Sequence, residues 1–406
     1  MVHKDSRKIG EEMKKTILFI LFLLLTMIIT PQSYTERYVR SQISGLKFWL
    51  EADDTTNFVK DGNNYISYWF SEDQDKTVSS ELIDSKYNGG GTDTTGFWSY
   101  WIESSNSISY AVPDSGFFRF GSRVGATPYF YRNISAVVGE TYKISYKVKS
   151  PTFRSFVYAY IGSSYSSLST TTVTSEWQTV EVYATARTTD LNLYFQMGGT
   201  GITDSVSIKD FSVKKIYGYH LAQRTATNQP QYVDGAVKFA TNDIIYIDTI
   251  PSTSQPYSIY VLYKTDATPT VNNYVISNVT KSSGGSTLYS NVGIRHISHT
   301  GAINIYAGSN VDSVFMPLGS FALAKGIFNG STSVEQVNHG EKKVINAGTN
   351  YMGGLAIGGF FSAGSITYNS NITVKLIIVK SGVASFCEDY KIKKYIYDKY
   401  SVGSYK

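Results

Sequence analysis

Eight aromatic residues, Trp98, Tyr100, Trp101, Tyr129, Tyr131, Tyr158, Tyr160 and Tyr165, fall in three groups within one stretch of the chain. Flat aromatic faces pack on the apolar C–H side of a sugar ring, while amides and guanidinium groups nearby pair its hydroxyls. Arg123, Arg154, Asn192 and Gln196 occur in the same stretch and can supply such partners. Tyr158 and Tyr160 are two apart, so on a strand they share a face. The competing role for any one of these aromatics is core filling, where large aromatics are often found.

Residues suited to catalysis are sparse. Hydrolysis of a glycosidic bond needs two carboxylates across the scissile bond. The densest acidic group, Glu72, Asp73 and Asp75, lies in a polar turn without the alternating Glu-x-Asp-x-Glu pattern of sandwich-fold glucanases. It reads as a solvated loop. His296 and His299 are three apart but lack further metal ligands nearby, so they and His3, His220 and His339 read as surface histidines. No nucleophile elbow, phosphate loop or metalloprotease helix occurs. The chain is therefore not expected to be an enzyme.

Composition narrows the class further. The 406 residues include 33 Tyr, 21 Phe and 5 Trp, yet only 17% are charged. The net charge of +5 is concentrated at the ends. Between residues 16 and 387 the chain carries 27 basic and 26 acidic residues, too even for a nucleic-acid partner. Cys387, the only cysteine, excludes an intrachain disulfide and reads as a small buried residue beside the last helix.

The elements that must position the aromatics are strands. Tyr142, Ile144, Tyr146 and Val148 alternate with Lys143, Ser145, Lys147 and Lys149, giving one apolar and one solvated face. Val180, Val182 and Ala184 repeat this period, as do Leu191, Leu193, Phe195 and Met197, and Tyr257, Ile259, Val261 and Tyr263. Gly- and Ser-rich turns separate these runs, which predicts an all-β chain of antiparallel sandwiches. One helix stands out, with Ser385 and Glu388 at capping-box spacing and Ile392, Tyr395, Ile396 and Tyr400 on one face.

Two family resemblances give these strands an arrangement. Residues 137–148 (VVGETYKISYKV), the Trp177 strand start at 174–180 (TSEWQTV) and the closing strand at 206–213 (VSIKDFSV) resemble jelly-roll carbohydrate-binding modules. In that family the closing strand often carries two adjacent acids near a structural calcium. Here Lys209 precedes Asp210, leaving Asp204 and Asp210 as the only candidate ligands, whereas calcium takes about six to eight oxygens. Trp177 reads as a core residue anchoring its sheet.

The flanks are similar to a laminin-G-like (concanavalin-like) lectin domain. Its opening matches residues 46–53 (LKFWLEAD), Asp61-Gly62 and Tyr68-Trp69, and its early strand matches 229–239 (QPQYVDGAVKF). A late strand at 353–359 (GGLAIGG) and an ending that runs from 376–379 (LIIV) to 395–400 (YIYDKY) complete the match. The resemblances imply a laminin-G-like sandwich at 43–77 plus 219–402, interrupted by a jelly roll at 78–217. One complete sandwich inserted in a surface loop of another explains the gap, since sandwich termini lie close together.

Before them, Lys14 and Lys15 precede an apolar run at 16–30, which reads as a secretory signal in the N-terminal 1–35 segment, with an uncleaved membrane anchor as the competitor. The resulting expectation is a non-catalytic polysaccharide-binding protein, secreted or at a cell surface, or mounted on a phage virion, that acts as an adhesin. A structural phage fibre or decoration protein is the alternative, followed by a carbohydrate-active enzyme.

Overall fold

The computed structural model describes residues 36–71, 82, 99–101, 112–114, 117–121, 129–137, 140–150, 156–161, 167–186, 189–198, 205–216, 220–223, 225–247, 254–265, 268–280, 282–283, 286–287, 292–309, 312–362 and 365–402. The chain divides into two compact units, Met1–Ile43 with Ser385–Lys406, and Ser44–Ala384.

The smaller unit contains the helices Glu36–Ser41 and Phe386–Tyr400. The expected capping box is present: Ser385 Oγ accepts from the Glu388 amide and Glu388 Oε2 accepts from the Ser385 amide at 2.9 Å. These bonds satisfy two groups that a helix start leaves open. Ile392, Tyr395 and Ile396 are buried, while Lys394 pairs with Asp398 on the solvated side. Cys387 is exposed, contrary to the buried position expected of it, because it heads the outward stripe that continues through Lys391, Lys394 and Asp398. The terminal helix, expected to belong to the sandwich, groups with this smaller unit. The apolar run at 16–30 lies outside the described residues. No helix among the described residues is long and apolar enough to cross a membrane.

Among its described residues the larger unit is antiparallel sheet apart from short 3-10 turns and the small parallel pairing of Val279–Thr280 with Phe361–Ser362. Its first strands are β1 (Leu46–Glu51), β2 (Phe58–Lys60) and β3 (Ile66–Trp69). Of these, β1 and β3 join partners far along the chain. β1 lies against the strand Ile372–Ser381, with Trp49 opposite Ile378, and β3 lies against Leu221–Ala222, with Trp69 opposite Leu221. Both tryptophans are fully buried.

An eight-stranded sheet centres on Ile372–Ser381 and Tyr257–Lys264, and a nine-stranded sheet runs from β2 through Leu355–Ile357 to Val314–Phe315. Their facing side chains form one core that includes Phe48, Trp69, Phe239, Tyr257, Val261 and Ile294. Fully burying a Val, Ile or Phe side chain contributes roughly 1.5–3 kcal/mol. Gly358 shows why the late Gly-Gly motif is needed. Its φ is +88°, and a Cβ there would sit 2.3 Å from Phe239 Cδ1.

Between β3 and Leu221 come β4 (Ser99–Trp101), β5 (Val112–Asp114), β6 (Phe117–Gly121), β7 (Tyr129–Ser135), β8 (Thr141–Lys149), β9 (Phe156–Ile161), β10 (Ser167–Thr172), β11 (Gln178–Thr185), β12 (Asp190–Gly198) and β13 (Ser205–Ile216). Among the described residues these pair only with one another, in two five-stranded sheets ordered β10-β9-β12-β7-β4 and β11-β8-β13-β6-β5. The second sheet follows the predicted alternation: Tyr142, Ile144, Tyr146 and Val148 are buried with Val206, Ile208, Phe211 and Val213. At its junction with the split sandwich, Tyr68 and Phe70 pack on Tyr183 and Ile216, and the Tyr68 hydroxyl donates to the Tyr183 carbonyl.

Candidate functional site

The sheet β10-β9-β12-β7-β4 assembles most of the predicted sugar-binding residues, through its register. Trp101 lies opposite Tyr129, Tyr129 opposite Gln196, and Gln196 opposite Tyr158. The next row joins Ser99, Tyr131, Tyr194 and Tyr160, and Asn192 faces Asn133 in the row beyond. Residues directly opposite in antiparallel strands share a face, and neighbouring strands lie about 4.8 Å apart. Four strands thus carry a row about 14 Å long, and the rows repeat every ~7 Å along the strands.

Local sequence explains this segregation. β9 and β12 alternate aromatic or amide residues with apolar ones, Leu191, Leu193, Phe195 and Met197 having the other parity on β12, while β7 sets Tyr129, Tyr131 and Asn133 against Phe130, Arg132 and Ile134. On β7 the two faces are marked by Ile134, which is buried, and Ser135, which is exposed and has the parity of Tyr129 and Tyr131. The aromatic rows share the strand parity of Ser135 and not that of Ile134.

The register also separates some candidates. Tyr100 falls opposite Phe130 and shares the face of Phe195, away from Trp101. Trp98, Arg123, Arg154 and Tyr165 lie outside the described residues, as does the acidic group at 72–75. Tyr194, Asn133 and Ser99 join the rows without having been singled out. Tyr194 was legible, since it sits two from both Asn192 and Gln196.

The outer face of the other sheet is cationic. Lys143, Lys147 and Lys149 alternate along β8, and across the strand pair Lys147 lies opposite Lys209 and Lys143 opposite Lys214. Like charges directly opposite one another on a sheet are destabilising. Two acids offset part of this charge. Lys143 pairs with Glu181 at 2.6 Å and Lys147 with Asp210 at 2.9 Å. Burial pushes the Glu181 carboxyl up, but hydrogen bonds from Lys143 and Tyr183 and the Lys143 charge outweigh it, leaving the group below its ordinary value.

Trp177 belongs to this face and not to the core expected for it. It is half-buried, with the Lys149 and Lys209 ammoniums 4.8 and 4.6 Å from its ring centre. The ring begins its strand on the lysine side, where cation–π attraction holds it.

Asp210 sits in a bulge between Lys209 and Ser212 with φ at +54°. Its carboxylate is engaged by Lys147, and Asp204 lies outside the described residues. Among the described residues no group of three or more His, Cys, Asp or Glu side chains could hold a metal ion.

Two histidines read as surface residues are buried. His220 accepts from the Ser71 amide through Nδ1, and His296 lies 3.0 Å from the Tyr263 hydroxyl inside the split sandwich. Burial pushes His296 down to about 4. Strand parity places it on the core side beside Ile294, a placement its sequence neighbours did not reveal. His299, by contrast, is exposed.

Glu335 is the described acid furthest from ordinary behaviour. It is fully buried, Oε2 accepts from the Ile305 amide, and burial pushes its carboxyl up to about 7. Enclosed this way, it has no access to a substrate.

No protein-family model matches the chain, and no curated protein is recognisably similar to it. Among solved structures, a CBM4 structure is 19% identical over 35% of this chain and 98% of its own, with a TM-score of 0.24. The CBM22-1–CBM22-2 tandem domain of Paenibacillus barcinonensis Xyn10C is 12% identical, with 76% and 99% covered and a TM-score of 0.26. A Trypanosoma rangeli sialidase in complex with sialic acid is 7% identical, with 76% and 54% covered and a TM-score of 0.34. The chain spans 30% of the first sialidase structure it matches. None of these likenesses assigns an activity or a ligand to the chain.

Proposed function

We propose that the chain is a non-catalytic polysaccharide-binding protein whose binding head is the β4–β13 sandwich. The observation that carries this reading is the registered double row Trp101–Tyr129–Gln196–Tyr158 and Ser99–Tyr131–Tyr194–Tyr160 on one face of one sheet. Six aromatic residues fall in these rows together with Gln196 and Ser99, a set of residue types suited to sugar rings and their hydroxyls. Several aromatics in line suit a polymer better than a single sugar.

In this proposal the split sandwich is the platform and the head is inserted between β3 and Leu221. Support comes from the pairing of β1 and β3 with strands beyond residue 220, while β4–β13 pair among themselves. The laminin-G-like resemblance of the platform, export through the 16–30 run, and an adhesin role on a cell surface or virion belong to the same proposal. A calcium ion at Asp204 and Asp210 is not part of it.

Binding of the purified protein to a glycan array tests it. The expected result is retention of one class of polysaccharide that is lost in Tyr158→Ala/Tyr160→Ala with the fold intact. An array without any binding sinks the reading, and reducing-sugar release from a bound glycan replaces it with an enzymatic one.

A further inference from the structure

The aromatic rows leave the lysine face of the second sheet unused. Five lysines, Lys143, Lys147, Lys149, Lys209 and Lys214, occupy its outer side against Glu181 and Asp210. The excess is local. It arises because register sets Lys147 against Lys209 and Lys143 against Lys214, two like-charge pairs that oppose folding. A sandwich needs only polar residues on its outer face, so stability alone does not call for these pairs. A polyanion laid across the strands at Lys147 and Lys209 relieves that pair.

The layout also says where the anion sits. The Lys143 end of the face lies beside Tyr183, where the split sandwich packs through Tyr68 and Phe70. The other end, with Lys147, Lys149, Lys209 and Trp177, is away from that junction. There two ammoniums flank an indole, with the exposed Thr179 opposite Lys147. Ammonium groups for acidic substituents, the Thr179 hydroxyl for a sugar hydroxyl and a half-buried aromatic ring for a sugar face together fit an acidic polysaccharide. Insertion into a lipid surface requires exposed large apolar side chains beside the basic ones, which this cluster lacks among the described residues.

We infer that the Trp177–Lys147–Lys149–Lys209 cluster is a second glycan site, for a polysaccharide bearing carboxylate or sulfate groups, on the sheet opposite the aromatic rows. It does not depend on those rows binding sugar. Affinity electrophoresis of the full chain tests it with polygalacturonate, dextran sulfate and uncharged dextran as probes.

The expected result is retardation by the two anionic polymers only, weakened as salt rises from about 50 to about 300 mM, where screening shortens. The triple variant Lys147→Gln/Lys149→Gln/Lys209→Gln loses roughly tenfold in affinity, from three solvent-exposed charge contacts. The matching Lys→Arg variant retains binding, and Tyr158→Ala/Tyr160→Ala leaves it unchanged, which separates this site from the aromatic one. Undiminished binding by the Gln variant overturns the inference, as does equal retardation by uncharged dextran. Equal or stronger binding to phosphatidylglycerol vesicles, or to a DNA duplex, replaces the acidic glycan with those partners.

Discussion

Replacing Glu335 by Gln removes a buried carboxyl whose protonation is coupled to folding near neutral pH. Its folded value of about 7 lies above the ordinary 4.5. At 1.36 kcal/mol per pH unit, that difference amounts to roughly 3 kcal/mol as an upper limit. The sign follows from proton counting. Between about pH 4.5 and 7 the folded state holds a proton that the unfolded state has released, so stability falls as pH rises through this window and levels off above it.

The amide introduced by Glu335→Gln stays neutral throughout. Its carbonyl can still accept from the Ile305 amide, while its NH2 replaces the oxygen that has no partner, at a cost of about 1–3 kcal/mol. The variant is therefore expected to be less stable than the parent at pH 4.5 and equal or more stable at pH 8, with the difference moving by up to about 3 kcal/mol. Urea denaturation of both proteins at steps from pH 4.5 to 8 measures it. A difference that does not change with pH refutes the reasoning.

Three further outcomes follow from the packing. His296, held down to about 4 against an ordinary 6.5, binds its proton more weakly when folded, so stability drops as pH falls from about 6.5 toward 4. His296→Gln flattens that acid limb in the same denaturation series. Gly358→Ala forces a Cβ against Phe239 at a left-handed φ and costs roughly 2–4 kcal/mol in thermal or urea melts. Cys387, exposed on its helix, reacts stoichiometrically with a thiol reagent under native conditions, and protection until unfolding contradicts that placement.

Patterns internal to one strand were legible in the sequence. The alternation of β8 gave its buried face correctly, and the Ser385–Glu388 spacing gave the cap. Tyr158 and Tyr160 could be placed on one face from period two alone. Facts that depend on which strand lies beside which were not accessible. Lys209 and Lys214 are ordinary lysines in their own strand, and only the pairing of β8 with β13, shifted by the bulge at Asp210, sets them against Lys147 and Lys143. The size of Trp177 points to the core, while its place among Lys149 and Lys209 puts it on the lysine side. Histidines are usually exposed, but for His220 and His296 the distant residues Ser71 and Tyr263 supply the partners that let them be buried.

The pairing of β1 with Ile372–Ser381 also orders events during synthesis. A ribosome has released Trp49 and Trp69 long before the strands that cover them exist, whereas every described strand partner of β4–β13 is available once Ile216 has emerged. The inner sandwich can close on the nascent chain, and the outer one must wait for nearly the whole polypeptide, a separation that slows folding. A premature stop after Ile216 then yields a finished inner sandwich trailing two bare tryptophan strands, a fragment expected to aggregate through β1 and β3.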